Sequence, residues 1–109
     1  MRIIPSNQPL PVWRSILFVP AVSDRFIESA LRQPADVLQI DLEDSVGPDQ
    51  KTEARARAGA IADRFAAAGR DVTVRVNRPW RLLVRDLEAV VRPSVLAVAL
   101  PKVPDAAFI

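Results

Sequence analysis

Neither cysteine nor histidine occurs among the 109 residues. Without cysteine there can be no disulfide, no thiolate metal site and no cysteine nucleophile. Without histidine the commonest general base near neutral pH is gone, so proton transfer falls to carboxylates, lysine, water or a metal. Glycine is scarce as well. The three glycines, Gly47, Gly59 and Gly69, are not spaced as a Gly-rich dinucleotide-binding loop. No apolar run approaches the ~20 residues that a membrane span needs. The stretch Met1-Arg2-Ile3-Ile4-Pro5 has no long apolar h-region, so no signal peptide is expected. Charge of one sign does not accumulate: 13 arginines and two lysines are dispersed among 13 acids, for a net +2. That dispersion argues against a nucleic-acid partner, which would need a basic stripe.

What is present suits one small domain. Half of the residues are hydrophobic, enough for a single core. Residues 1–12 hold Pro5, Pro9 and Pro11 and read as a leader at the edge of the fold. From there short apolar runs alternate with helical patterns. The strand candidates are residues 15–19, 37–42, 72–76 and 95–100. The first is a continuous apolar run that suits a strand buried on both faces. Ser23 can cap a helix whose apolar stripe is Phe26, Ile27, Ala30 and Leu31. Pro48 fits the start of a second helix running to residue 68, with Ala54, Ala58, Ile61, Ala62 and Phe65 on one face and Gly69 as its stop. Leu83, Leu87, Val90 and Val91 form the stripe of a third helix, and residues 105–109 resemble the first turn of a fourth.

The order β-α-β-α-β-α-β predicts an α/β fold with a parallel sheet and right-handed crossovers. A doubly wound open sheet and the first half of a (β/α)8 TIM barrel both satisfy it. The absence of a Gly-rich phosphate loop favours the barrel. In either architecture the site lies beyond the carboxyl ends of the strands. There the sequence offers Asp41, Glu43 and Asp44 after the second strand, Arg75 and Asn77 at the third, and Lys102 after the fourth.

Each of these residues has two readings. Three carboxylates within four residues repel unless a cation sits among them, and hard oxygen donors suit Mg²⁺. They are equally a solvated acidic turn, with Asp44 capping the helix near Pro48. Arg75, flanked by Val74 and Val76, needs an anionic partner: a substrate carboxylate or carbonyl, or Glu43 or Asp44. Lys102 is either a Schiff-base lysine or an electrostatic one. Arg14 and Arg25 could meet ligand phosphates or simply solvent. Arg25, in a helix's first turn, sits where its charge is disfavoured unless an anion is near. Trp13 and Trp80 read as packing residues.

Four ordered motifs carry a resemblance. Arg14-Ser15-Ile16-Leu17-Phe18-Val19-Pro20 with Arg25-Phe26-Ile27-Glu28-Ser29-Ala30, then Asp41-Leu42-Glu43-Asp44-Ser45-Val46, Arg75-Val76-Asn77 and Leu100-Pro101-Lys102-Val103 resemble the citrate lyase beta-subunit (HpcH/HpaI aldolase) family. The resemblance implies the N-terminal portion of a cytoplasmic TIM-barrel lyase, residues 13–109 being its first four β/α units. It implies Mg²⁺-dependent carbon–carbon cleavage of a hydroxyacyl-CoA of citryl-CoA or malyl-CoA type, through an enolate held by the metal. On the matching positions, Arg75 would bind the substrate's carboxylate or carbonyl, and Glu43 and Asp44 would stand near the metal as outer-sphere groups or hold Arg75. Arg25, Asn77 and Lys102 would line the substrate. The direct metal ligands would come from later strands, and the assembly would be a homotrimer or homohexamer. Where the family often has Pro-Gly this chain has Pro20-Ala21, whose methyl could crowd a ligand. A full barrel takes ~250 residues, so the chain alone is expected to be inactive. The alternatives are a non-catalytic remnant or interaction module, and an aldolase for CoA-free oxoacids.

Overall fold

The computed structural model describes residues 9–108; most of the expected leader therefore lies outside the described residues. Four parallel strands form one sheet in the order β1-β2-β3-β4: β1 Ile16–Pro20, β2 Val37–Asp41, β3 Asp71–Arg75 and β4 Ala97–Ala99. Three helices link them: α1 Asp24–Ala30, α2 Lys51–Ala67 and α3 Trp80–Val90. A single 3-10 turn, Pro48–Gln50, leads into α2, and another, Ala106–Phe108, follows β4. Sequential neighbours along the whole sheet, with no reversal of strand order, match the first units of a TIM-barrel-like fold.

The sheet has two unlike faces because side chains alternate along each strand. Val19, Leu38, Ile40, Val72 and Val74 point to the helices and meet Ile27, Ala54, Ala58, Ile61, Phe65, Leu83 and Val90 in one core. Phe65 and Leu38 are fully enclosed; truncating either to alanine would cost roughly 2–5 kcal/mol. The other face carries Phe18, Gln39 and Thr73 in register, and the Thr73 hydroxyl donates to Gln39 Oε1 at 2.9 Å.

Local signals explain the helix ends. Ser23 Oγ accepts the Phe26 N–H at 3.3 Å, as a cap should. Gly69 follows α2 with φ +81°, a left-handed turn in which a side chain is disfavoured. Three expectations need correction. β1 is not buried on both faces: Ile16 and Phe18 are about half exposed, because β1 is the sheet's edge strand and these two face away from the helices. Phe26 and Val91 are likewise half exposed. Phe26 sits one position off the buried Ile27–Ala30 face of a short helix, and Val91 is already the extended residue that ends α3.

Candidate functional site

The register of the sheet builds the site. Pairing β2 with β3 sets Asp41 directly opposite Arg75, both at the carboxyl ends of their strands. Arg75 donates to Asp41 through Nε at 2.9 Å and Nη2 at 2.8 Å, a two-pronged charge-assisted pair. The guanidinium also lies over the Phe18 ring, 4.8 Å from its centre. Arg75 was expected to pair with Glu43 or Asp44. Its Nε is 3.6 Å from Glu43 Oε1, so Glu43 is a neighbour and Asp41 the partner. The cause is geometric: a strand residue faces its register mate, whereas Glu43 and Asp44 have already turned into the loop.

Asp41 is completely buried. Burial alone would push its carboxyl up; donors from the Arg75 and Ser45 side chains and from the Glu43 and Ser45 N–H groups overcome that and hold it well below the usual carboxylate range. Both oxygens are occupied. Oδ1 takes the Glu43 N–H at 2.9 Å, and Oδ2 takes the Ser45 N–H at 3.1 Å and its hydroxyl at 2.6 Å. One carboxylate thus fixes the loop that carries Glu43 and Asp44 and aims Arg75. Arg75 Nη1 donates to nothing among the described residues, so one arm of the fork is uncommitted.

Lys102 reaches across from the end of β4. Its Nζ donates to Glu43 Oε2 and, at 2.9 Å, to Asp44 Oδ1. Those two acceptors raise the pKa of the ammonium, and Lys102 in turn lowers that of Asp44. A lysine held protonated by two carboxylates is a poor Schiff-base nucleophile. It adopts φ 53°, a left-handed conformation rare for a residue with a Cβ, and such strain concentrates at functional positions. Asp44 is spent on Lys102 and caps nothing; Gly47 precedes the 3-10 turn, with no side-chain cap.

A second network lies beneath. Asp86, on α3, is 1 % exposed. Its Oδ2 accepts the Asn77 backbone N–H at 2.9 Å and Asn77 Nδ2 at 2.8 Å, and its Oδ1 accepts Arg55 Nε at 2.8 Å. Asn77 Nδ2 also reaches the Leu42 carbonyl at 3.0 Å. Lys51 Nζ donates to the Leu42 and Glu43 carbonyls at 3.0 and 2.6 Å. Asn77, expected at the substrate, thus ties the β2 and β3 tips together, although it borders a cleft of about 420 Å³ with Glu43, Lys51, Arg78, Arg81 and Lys102. Arg25 is exposed on the first turn of α1 and makes no ion pair among the described residues. Arg14 lies before β1, at the opposite end of the strands, where it pairs with Asp36 at 3.5 Å, so it does not join the cluster. Ala21 is wholly buried in the core. Trp13 packs low on the sheet with Nε1 on Asp71, and Trp80 is 5.3 Å from Phe108.

The sequence reading missed Asp86, Arg55 and Lys51. A signal for Asp86 existed: it falls three residues after Leu83 and four before Val90, on the helix face that must be buried.

The acids do not form a Mg²⁺ cage. Among the described residues no group of three His, Cys, Asp or Glu side chains is placed to hold a metal. Asp41 is saturated, and Glu43 Oε2 and Asp44 Oδ1 belong to Lys102. Glu43 Oε1 is buried and accepts no hydrogen bond.

The chain thus carries, at the tips of a parallel α/β sheet, an arginine–carboxylate pair and a lysine-bridged acidic loop. Its ancestry is specific. The profile of the HpcH/HpaI aldolase/citrate lyase family matches residues 14–109, and the chain belongs to that family. It is 38% identical over 96 residues to the citrate lyase subunit beta of Escherichia coli (strain K12), covering 85% of this chain and 31% of that protein. It is 36% identical over 98 residues to a (3S)-malyl-CoA thioesterase of Cereibacter sphaeroides (strain ATCC 17029 / ATH 2.4.9), covering 87% of this chain and 34% of the relative. The crystal structure of RipC from Yersinia pestis superposes with a TM-score of 0.59 at 31% identity, over 88% of this chain and 37% of that one. The chain thus spans about a third of the length of the curated relatives it matches.

Proposed function

We propose that this chain forms the substrate-anion half of a carbon–carbon lyase site acting on a hydroxyacyl-CoA of citryl-CoA or malyl-CoA type. The observation that carries the reading is Arg75, locked on two sides by Asp41 and left open at Nη1, at the carboxyl end of a parallel sheet. A guanidinium so held meets a carboxylate or a developing enolate oxygen without reorganising. Glu43 and Lys102 set the polarity beside it, and the relatives named above supply the substrate class. Mg²⁺ enters this reading as a Lewis acid for the enolate, on ligands other than Asp41, Glu43 and Asp44, whose oxygens are largely committed to Arg75 and Lys102. The remaining elements of the reading are residues 13–109 as four units of a TIM barrel, a cytoplasmic setting and a homotrimer or homohexamer.

The test is a Mg²⁺-dependent cleavage assay against citryl-CoA, malyl-CoA and citramalyl-CoA. It is run on the 109-residue chain and on the complete reading frame that contains it. Turnover of one of these thioesters by the complete frame, abolished by Arg75→Ala, is the expected result. Unchanged turnover in Arg75→Ala sinks the reading.

A further inference from the structure

Beside the strand-tip cleft, α2 and α3 present arginines to each other. Arg55 on α2, together with Arg81 and Arg85 one turn apart on α3, lines a pocket of about 260 Å³ with Thr52 and Leu82 and no acid. The same three arginines border a wider outer cleft in which Glu88 is the acidic residue. Arg55 is the most enclosed, its side chain 14% exposed. Its Nε is committed to Asp86, while its Nη2 is buried and has no hydrogen-bond partner. Arg81 and Arg85 make no ion pair among the described residues, whereas Arg57, Arg64 and Arg92 are each bound to an acid.

The arrangement is unfavourable as it stands. Like charges four residues apart on a helix repel. Arg81 also stands in the first turn of α3, which contains no acid and has no side-chain cap, so it opposes the helix dipole. A buried guanidinium nitrogen without an acceptor adds a desolvation penalty. An anion in the pocket relieves the first two, and tetrahedral phosphate matches the donor forks of arginine.

We infer that Arg55, Arg81 and Arg85, with the Thr52 hydroxyl, form a phosphate-binding site between α2 and α3, beside the strand-tip cleft that Arg81 also borders. The ligand class is a phosphate or phosphate ester. Its existence does not depend on the lyase reading.

The test is isothermal titration of the 109-residue chain with inorganic phosphate and, separately, with pyrophosphate. Saturable binding at one site is expected. The double variant Arg81→Gln/Arg85→Gln should weaken it at least tenfold. The double variant Arg57→Gln/Arg64→Gln removes the same charge from arginines already paired with Asp24 and Glu28, and should keep affinity within about twofold. Arg55→Lys keeps a cation for Asp86 and should still weaken binding several-fold through the lost fork. The inference is overturned if neither probe saturates, or if the two double variants lose affinity equally, since that reports net charge alone.

Discussion

Removing Arg75 should destabilise the fold through Asp41 rather than through lost packing. Arg75→Met keeps most of the side chain's bulk but strands a fully buried carboxylate that loses both of its guanidinium hydrogen bonds. Breaking a buried pair from one side costs about 3–5 kcal/mol. Three donors to Asp41 survive in the loop, and the Arg75 side chain is 23% exposed, so the lower end applies. A loss of about 3 kcal/mol in urea unfolding is therefore expected. Asp41→Asn alone should also destabilise, since it replaces an acceptor of five donors with an amide. The double variant should be more stable than the two single losses add to, with a coupling of about 2 kcal/mol. The pH dependence has a definite sign. Asp41 titrates below its ordinary 3.8 in the folded state. Its contribution is fully present above that value and fades as pH falls through the lower folded one. Arg75→Met should flatten that acid limb. A coupling near zero, or an unchanged acid limb, would refute the reasoning.

Three further outcomes are expected. Asp86→Ala should cost about 3 kcal/mol or more, because Arg55 and Asn77 both lose a buried acceptor; chemical denaturation measures it, and a loss below about 1 kcal/mol contradicts the network. Gly69→Ala should cost about 1 kcal/mol from backbone strain alone, since nothing lies within 4 Å of the added methyl; thermal unfolding reads this, and a neutral change would mean that the turn relaxes. Ser45→Ala should cost about 1–2 kcal/mol by removing the hydroxyl donor to Asp41, and should raise the midpoint of the acid limb; an unshifted midpoint counts against it.

The sheet was legible in the sequence because its strands are short apolar runs bounded by proline and glycine, and because α2 repeats its small apolar residues at helical spacing. What pattern could not supply was the third dimension. Which strand is the edge decides that Ile16 and Phe18 are uncovered, and no local signal carries that. The site was legible as a set of residue types at strand ends: Glu43, Asp44 and Lys102 do converge, and Arg75 stands beside Glu43. The wiring was not legible. Asp41 was counted with the loop acids although, in register with Arg75, it is the residue that orients it. Asn77 reads as a substrate-lining amide until Asp86 is placed behind it, and that requires knowing how α3 lies on the sheet.

One guanidinium, held rigid by a buried carboxylate and open on its remaining side, carries the proposed activity. The most direct measurement is kcat/KM for thioester cleavage by the complete reading frame carrying Arg75→Lys. Lysine keeps the charge but cannot span both Asp41 oxygens while also reaching a ligand. A fall of roughly a hundredfold or more is predicted, the scale of one lost preorganised donor. Wild-type efficiency in that variant would contradict the account.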